Sequence, residues 1–335
     1  MNAEFFEEDK IKIKRIIQKG HDCYGIILEN NIKDVDVFLK TSLPGAFRSN
    51  LNRLKKRLEM CFSIKYTMYC GSIKKDEYDY IMNSLIEMQV KRLNHQKIDN
   101  HLLNKYENYK KIAFSLINEK KASLFVIYNN TVPIGITLNF ILDKVYFGEI
   151  TTFDMNYSKF GIGNLLIYKQ LSWCIHNNFE YFDMGNGEYE YKKKWCNHHY
   201  LIETHIIYSK NSLVARFASI FCEYLVKLKN VLKRINFHLA YKKAQKIFKG
   251  SKEEKSLQQI KYEFHKLESG VNQTKEIKKE NFQDPKYDYL KKVIFDFLYL
   301  YKEHFQNVVL YSISNKSHTF ILEGENHMVK CIILE

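Results

Sequence analysis

Short β-rich runs open the chain. Residues 11–17, 24–29 and 35–40 alternate apolar and polar positions or carry β-branched side chains, and each predicts a strand. Ser42-Leu43-Pro44-Gly45 breaks that pattern. From 47 to 60 the spacing changes. Leu51, Leu54 and Leu58 recur at intervals of three and four, which predicts an amphipathic helix. Its outer face carries Arg48, Arg53, Lys55, Lys56 and Arg57. The face is either a solvated surface or a dock for an anionic substrate, with Arg48 and Arg53 as the binding residues. Residues 63–69 predict a further strand, and 76–92 and 101–118 two helices.

The most regular stretch follows. Residues 124–128, 132–142 and 145–153 read as strands joined by Asn129-Asn130 and Asp143-Lys144, an antiparallel meander with two-residue connections. Residues 155–160 read as a loop. Gly161-Ile162-Gly163 then opens a helix to about residue 176, followed by a strand at 181–184. Gly185-Asn186-Gly187 reads as a loop, 188–195 as a short helical segment and 200–208 as a closing strand. One long helix is expected from 211 to 250, with Leu213, Phe217, Ile220, Tyr224, Leu228, Val231 and Ile235 forming an apolar stripe. The stripe either packs on the core or meets an anionic surface. Residues 251–283 are polar and weakly helical and read as a linker. A helix at 287–305 and strands at 308–313, 319–323 and 328–334 close the chain. The expected organisation is an N-terminal half at 1–75, a core at 76–210, a basic helix at 211–250, a linker at 251–283 and a small α/β appendage at 284–335.

Composition narrows the class. The 335 residues are 45% hydrophobic and 27% charged, a globular balance that excludes wholesale disorder. The formal charge of +14 calls for an anionic partner: nucleic acid, an acidic membrane, an acidic carrier or a phosphate-bearing cofactor. Residues 211–250 hold nine basic side chains against one acidic, over half of that excess. The seven cysteines include no Cys-x-x-Cys pair, so neither a disulfide framework nor a zinc ribbon is expected. His198 and His199 beside Cys196 alternate on a strand and make no metal site. No apolar run reaches the length of a membrane span. A cytoplasmic protein with peripheral contact at the inner face of an anionic membrane is the expectation.

Gly161-x-Gly163 marks where chemistry could sit. A helix N-terminus offers N–H groups without carbonyl partners and the positive end of the dipole, and glycine lets a phosphate approach them. The antiparallel meander before it argues against a dinucleotide-binding βαβ unit. The order resembles the GNAT acyltransferase superfamily, in which an Arg/Gln-x-x-Gly-x-Gly/Ala loop grips the pyrophosphate of acyl-coenzyme A. The matching stretch here is Ser158-Lys159-Phe160-Gly161-Ile162-Gly163. Ser158 stands where that family has Arg or Gln, and Lys159 is placed to supply the charge. Asp183-Met184-Gly185-Asn186-Gly187-Glu188-Tyr189-Glu190-Tyr191-Lys192 resembles the Asp-x-x-x-Gly-(Asp/Glu)-x-x-Tyr-Lys pattern of the branch named for cellulose biosynthesis, related to the Fem aminoacyl ligases. The helix at 47–60 is similar to that branch's basic helix.

The resemblance implies an α+β fold with a GNAT-like, mostly antiparallel central sheet flanked by helices, a degenerate N-terminal GNAT-like half and a small C-terminal appendage of helix and strands. It implies direct transfer of an acyl group from acetyl-CoA or another acyl-CoA to an amine acceptor, such as an amino sugar or similar polar metabolite, with no metal. Backbone N–H groups around 149–152, at Ile150, Thr151 and Thr152, would polarise the thioester carbonyl, a type of stabilisation worth about 3 kcal/mol per donor. Lys159, Gly161, Ile162, Gly163, Asn164 and Lys192 would hold the coenzyme. Tyr191 would be the acid and Glu188 the base, with Asp183 orienting the amine or Lys192. Each has a plainer reading: Tyr191 packing under the sheet, Glu188 serving a helix dipole, Asp183 capping a turn, Lys192 solvated. Two other functions fit the same residues. One is a Fem-like transferase fed by aminoacyl-tRNA; the other is a non-catalytic protein that binds an anionic membrane or nucleic acid.

Overall fold

The structure is a computed structural model, and it describes residues 13–29, 32–95, 103–186, 190–234, 260–267, 277–314 and 316–334. The chain divides into two compact units, neither continuous in sequence. The first comprises Met1–Gly25 and Gly185–Lys255, and the second Ile26–Met184 and Ser256–Glu335.

Where they are described, the runs expected at 11–17 and 24–29 fall largely on one strand, β1 (Ile13–Ile27), which lies in the first unit as far as Gly25 and pairs antiparallel with β7 (His198–Ser209) through a register shift between Lys19 and Asp22. A short helix, α6 (Glu190–Trp195), precedes β7 and buries Trp195. Helix α7 (Leu213–Arg234) packs on β7. The residues expected to continue it to 250 lie outside the described ones. The side it covers is mostly small or polar. Ala215, Ser219, Glu223, Val226, Asn230 and Leu232 are its less exposed positions, and Gln18 of β1 donates to Glu223 Oε1 at 3.1 Å. Core packing through the Leu213–Phe217–Ile220 stripe is therefore not what the fold uses. Those side chains face outward, Phe217 being 72% exposed.

The second unit holds α1 (Val35–Ser42), α2 (Gly45–Cys61), β2 (Ile64–Tyr69), α3 (Lys75–His95), α4 (Leu103–Asn118), β3 (Ala122–Asn129), β4 (Val132–Leu142), β5 (Val145–Phe153), α5 (Ile162–His176) and β6 (Tyr181–Asn186), whose last two residues cross into the first unit. The strand expected at 35–40 is helix α1. Asp34 caps it, its carboxylate accepting from Val37 N at 2.8 Å, and Val35, Phe38 and Leu39 share one buried face at helical spacing. The Val-Asp-Val alternation mimics the period of two of a strand, whereas the buried residues follow the helical period.

β2, β3, β4 and β5 form an antiparallel run, and β5 pairs parallel with β6. Both faces of this sheet are covered, so β3 is buried along seven consecutive positions. Leu124, Val126, Ile136 and Leu138 meet Tyr78, Ile81, Met82 and Leu85 of α3. Phe125, Ile127 and Ile134 face α2 and α5 through Leu58, Phe62, Ile162, Leu165 and Leu166.

The same second core continues into the C-terminal segment. The stretch expected as a weakly helical linker contains two strands, β8 (Lys261–Lys266) and β9 (Ile277–Glu280). With β10 (Val309–Ile313), β11 (Lys316–Glu323) and β12 (Met328–Leu334) they build an antiparallel sheet in the order β8-β12-β11-β10-β9. The alternation Tyr262, Phe264 was hidden by intervening charges. The helix expected at 287–305 is a 3-10 turn (Pro285–Leu290) followed by α8 (Lys291–Tyr301). Phe62 meets the rings of Tyr157, Phe160, Phe295 and Phe305, with centroids 4.9–5.8 Å apart. Burial of such rings is the main stabilising term here.

Candidate functional site

The parallel pair β5–β6 is short. Its ladder joins Val145 to Tyr181, Tyr146 to Phe182 and Phe147 to Asp183, and ends there. β5 carries a register shift at the same level. Leu138 pairs with Ile150 and Asn139 with Gly148, so Glu149 is an extra residue. Such a bulge bends a strand and re-aims a side chain. Gly148 makes the last close approach: a Cβ on it would lie 3.4 Å from the Asp183 carbonyl oxygen. Beyond that point β5 continues to Phe153 with no rung to β6, so its backbone on that side lies outside the parallel ladder.

Side chains of α3 and α4 reach this part of β5. Tyr109 Oη and Lys105 Nζ each lie 2.7 Å from Glu149 Oε1. Arg92 Nη1 and Gln89 Nε2 donate to the Thr151 carbonyl at 3.2 and 3.4 Å. Burial, then the bond to Glu149, raises the Tyr109 phenol above its ordinary range. The bond to Glu149 raises Lys105 likewise. Both partners thus stay protonated at neutral pH and hold Glu149 in place. Both bonds land on Oε1. From sequence alone this stretch offers only its backbone. The one signal available was spacing: Lys105 and Tyr109, like Gln89 and Arg92, lie about one turn apart on a helix.

The glycine pair sits at the end of β5. Residues expected as a loop form a 3-10 turn (Met155–Phe160), capped by Asp154, which accepts from Asn156 N at 2.9 Å. The turn ends at Gly161 with φ +70°, and α5 starts at Ile162 with no side-chain cap. A Cβ on Gly161 would lie 2.7 Å from Leu54 Cδ1, so this position needs glycine for both conformation and space. Ile162, Gly163 and Asn164 form the first turn of α5. A Cβ on Gly163 would meet the Phe153 ring at 3.4 Å, an ordinary van der Waals contact.

Lys159, expected to supply charge at this turn, and Arg53, expected on the basic helix as a substrate-binding residue, have partners within the chain. Lys159 Nζ pairs with Asp296 Oδ2 of α8 at 3.0 Å, and Asp296 is 1% exposed. Tyr262 donates to the same oxygen, and Lys292 lies 3.4 Å from it. Arg53 donates to Asn50 Oδ1 at 2.7 Å and to Tyr299 Oη at 3.2 Å. Arg57 donates to the Tyr299 carbonyl, its guanidinium 5.2 Å from the ring centroid. Arg48, half-buried, folds back over Gly45.

The side chains of Ile150 and Thr152 turn into the core and Thr151 is half-buried, so these residues offer backbone more than side chain. Asp183 is buried where the β5–β6 ladder ends. In the first unit Tyr191 is 40% exposed on α6. Lys192 is no solvated lysine: it is 5% exposed, and its Nζ donates to the carbonyls of Asn186 at 2.6 Å and Gly185 at 3.4 Å. Glu188 lies outside the described residues. Among the described residues no group of three His, Cys, Asp or Glu side chains is placed to hold a metal, and no helix is long and apolar enough to cross a membrane.

A mostly antiparallel sheet flanked by helices, with a parallel pair whose ladder stops next to a bulge and a glycine turn leading into a helix, is a GNAT-like fold. Residues 45–193 match the family model described as acetyltransferase (GNAT) domain. No curated protein matches the chain. Among solved structures, the chain is similar to a conserved protein of unknown function from Bacteroides thetaiotaomicron VPI-5482. The identity is 11% and the TM-score 0.41, over 57% of this chain and 62% of that one. FemX is 11% identical with a TM-score of 0.44, over 63% and 69% of the two chains. L-PGS from Bacillus licheniformis is 10% identical with a TM-score of 0.36, over 62% and 65%. This chain thus spans less than two thirds of the Bacteroides protein.

Proposed function

We propose that this chain is an N-acyltransferase that moves an acetyl or similar acyl group from coenzyme A to the amine of an amino sugar or another polar metabolite. The β5–β6 pair, whose ladder stops next to the bulge that holds Glu149, carries the reading. Beyond the ladder an extended thioester arm lies along the β5 backbone, whose N–H groups face the place where the carbonyl oxygen gathers charge. The first turn of α5 receives the diphosphate.

Glu149 is the carboxylate at this place, and it takes a proton from the acceptor ammonium. The free amine attacks the thioester carbon and the C–N bond forms; the nitrogen then sheds its second proton to solvent as the C–S bond breaks, and the sulfur leaves as thiolate. The sequence pattern nominates Tyr191 as the acid for that thiolate, Glu188 as a second candidate base and Asp183 as the group that orients the acceptor. The Asp183–Lys192 pattern supports the Fem-related, cellulose-biosynthesis type of this reaction.

The pairing of Lys159 with Asp296 favours a second reading. With its charge so engaged and Ser158 neutral, the turn grips a diphosphate through backbone alone. An aminoacyl-tRNA donor needs no diphosphate there. Calorimetry with acetyl-, propionyl- and succinyl-CoA tests the first reading, and binding is expected. No heat and no thermal shift with any of them, alongside transfer from an aminoacyl-tRNA to an amine, would replace it with the second.

A further inference from the structure

We propose that α7 docks this protein on an anionic lipid surface through its outward apolar face. On a helical projection Leu213, Val214, Phe217, Ile220, Phe221, Tyr224, Leu225, Leu228 and Val231 fall within an arc of about 140°. All nine are exposed, from 44% at Leu228 to 79% at Val214. Among the described residues nothing covers them. An ordinary surface helix buries this stripe, whereas α7 turns its mostly small or polar side inward, with Glu223 bonded to Gln18 and Lys227. The arc is rimmed by exposed cations, Arg216 and Lys227 along one margin and Lys229 along the other. The one carboxylate of the helix sits on the inward side.

A helix of 22 residues is about 33 Å long, enough to lie in a membrane interface with its apolar side among acyl chains and its cations at the headgroups. The other occupants fit less well. A nucleic-acid backbone would leave the apolar arc wet. A second copy laid face to face would bring basic rim against basic rim, which anionic lipid instead neutralises. This inference does not depend on the acyl-transfer reading.

Co-sedimentation of the full chain with phosphatidylcholine vesicles, with and without phosphatidylglycerol, tests it. Each basic side chain near such a surface strengthens binding about fivefold, so the three cations set a preference of about 100-fold for the anionic vesicles. Phe217→Ser with Phe221→Ser removes two exposed rings and is expected to weaken vesicle binding about 100-fold, with the thermal midpoint unchanged. Phe221→Trp keeps the apolar character and should show a blue-shifted emission on anionic vesicles. Equal binding by the wild type and the double variant would overturn the proposal. So would no binding to anionic vesicles, or a lipid-independent dimer that the double variant abolishes; the last would make the face a contact between copies. None of these outcomes alters coenzyme binding.

Discussion

Gly161→Ala tests whether the turn into α5 is held by geometry rather than by tolerance. At φ +70° an alanine bears a left-handed strain of about 1–2 kcal/mol. Its Cβ would also lie 2.7 Å from Leu54 Cδ1. Leu54 is buried on α2 and cannot swing into solvent, so overpacking adds about 1–3 kcal/mol. Reduced freedom of the unfolded chain returns about 0.4–1 kcal/mol. The net loss is about 2–4 kcal/mol, a fall in thermal midpoint of roughly 5–15 °C. A double-mutant cycle separates the two causes. Leu54→Ala alone costs about 2–5 kcal/mol through its cavity. In that background Gly161→Ala has space for its methyl and should cost only the strain, about 1 kcal/mol. The coupling between the sites is then about 1–3 kcal/mol, read from denaturant melts of the four proteins. Additivity within about 0.5 kcal/mol would show that Leu54 does not bound the turn, and the reasoning about the cradle would fall with it.

Three further outcomes are expected. Glu149→Gln should lower kcat about 10²–10⁴-fold in an amine-acylation assay with little change in coenzyme affinity, whereas loss of coenzyme binding with kcat intact would take Glu149 out of the base role. Burial would raise the Glu280 carboxyl, but bonds from Ser312, Lys286 and Tyr287 and the charge of Lys278 outweigh it and hold it at about 2 against an ordinary 4.5. Its contribution to stability is therefore complete above pH about 4.5 and fades as the pH falls toward 2, a slope in melting temperature that Glu280→Gln should flatten. Burial also pushes the Cys61 and Cys331 thiols up to about 12, and Cys174 well above its ordinary value, while Cys222 is exposed. Iodoacetamide followed by peptide mass spectrometry should find Cys222 modified ahead of these three; equal rates would mean that the cores open readily.

Local pattern carried much of the fold. The meander from β3 to β5, helices α2 to α5 and the closing strands lie close to where periodicity and turn residues put them, because each is specified by neighbours in sequence. α1 was misread because Val35 to Leu39 satisfies both periods, and only the Asp34 cap decides between them. The glycine turn was legible for the same local reason. The Glu149 site was not, since a bulge exists only relative to the register of the partner strand β4. Lys159 and Asp296 are 137 positions apart, and no spacing rule relates them. Periodicity likewise showed that α7 has an apolar face but not that the face looks outward, which depends on what β7 offers it to pack on.

The aromatic cluster beneath the sheet has a practical consequence. Phe62, Tyr157 and Phe160 belong to the stretch that matches the acetyltransferase domain, yet Phe295, Tyr299 and Phe305 of the chain's last fifty residues complete their packing. Excising the matched stretch would strip ring faces bare, so a shortened gene ending before β8 should yield insoluble protein. Relatives that lack the tail should carry smaller or hydrophilic residues at those three positions, a signature by which the tailed and tailless lineages can be sorted.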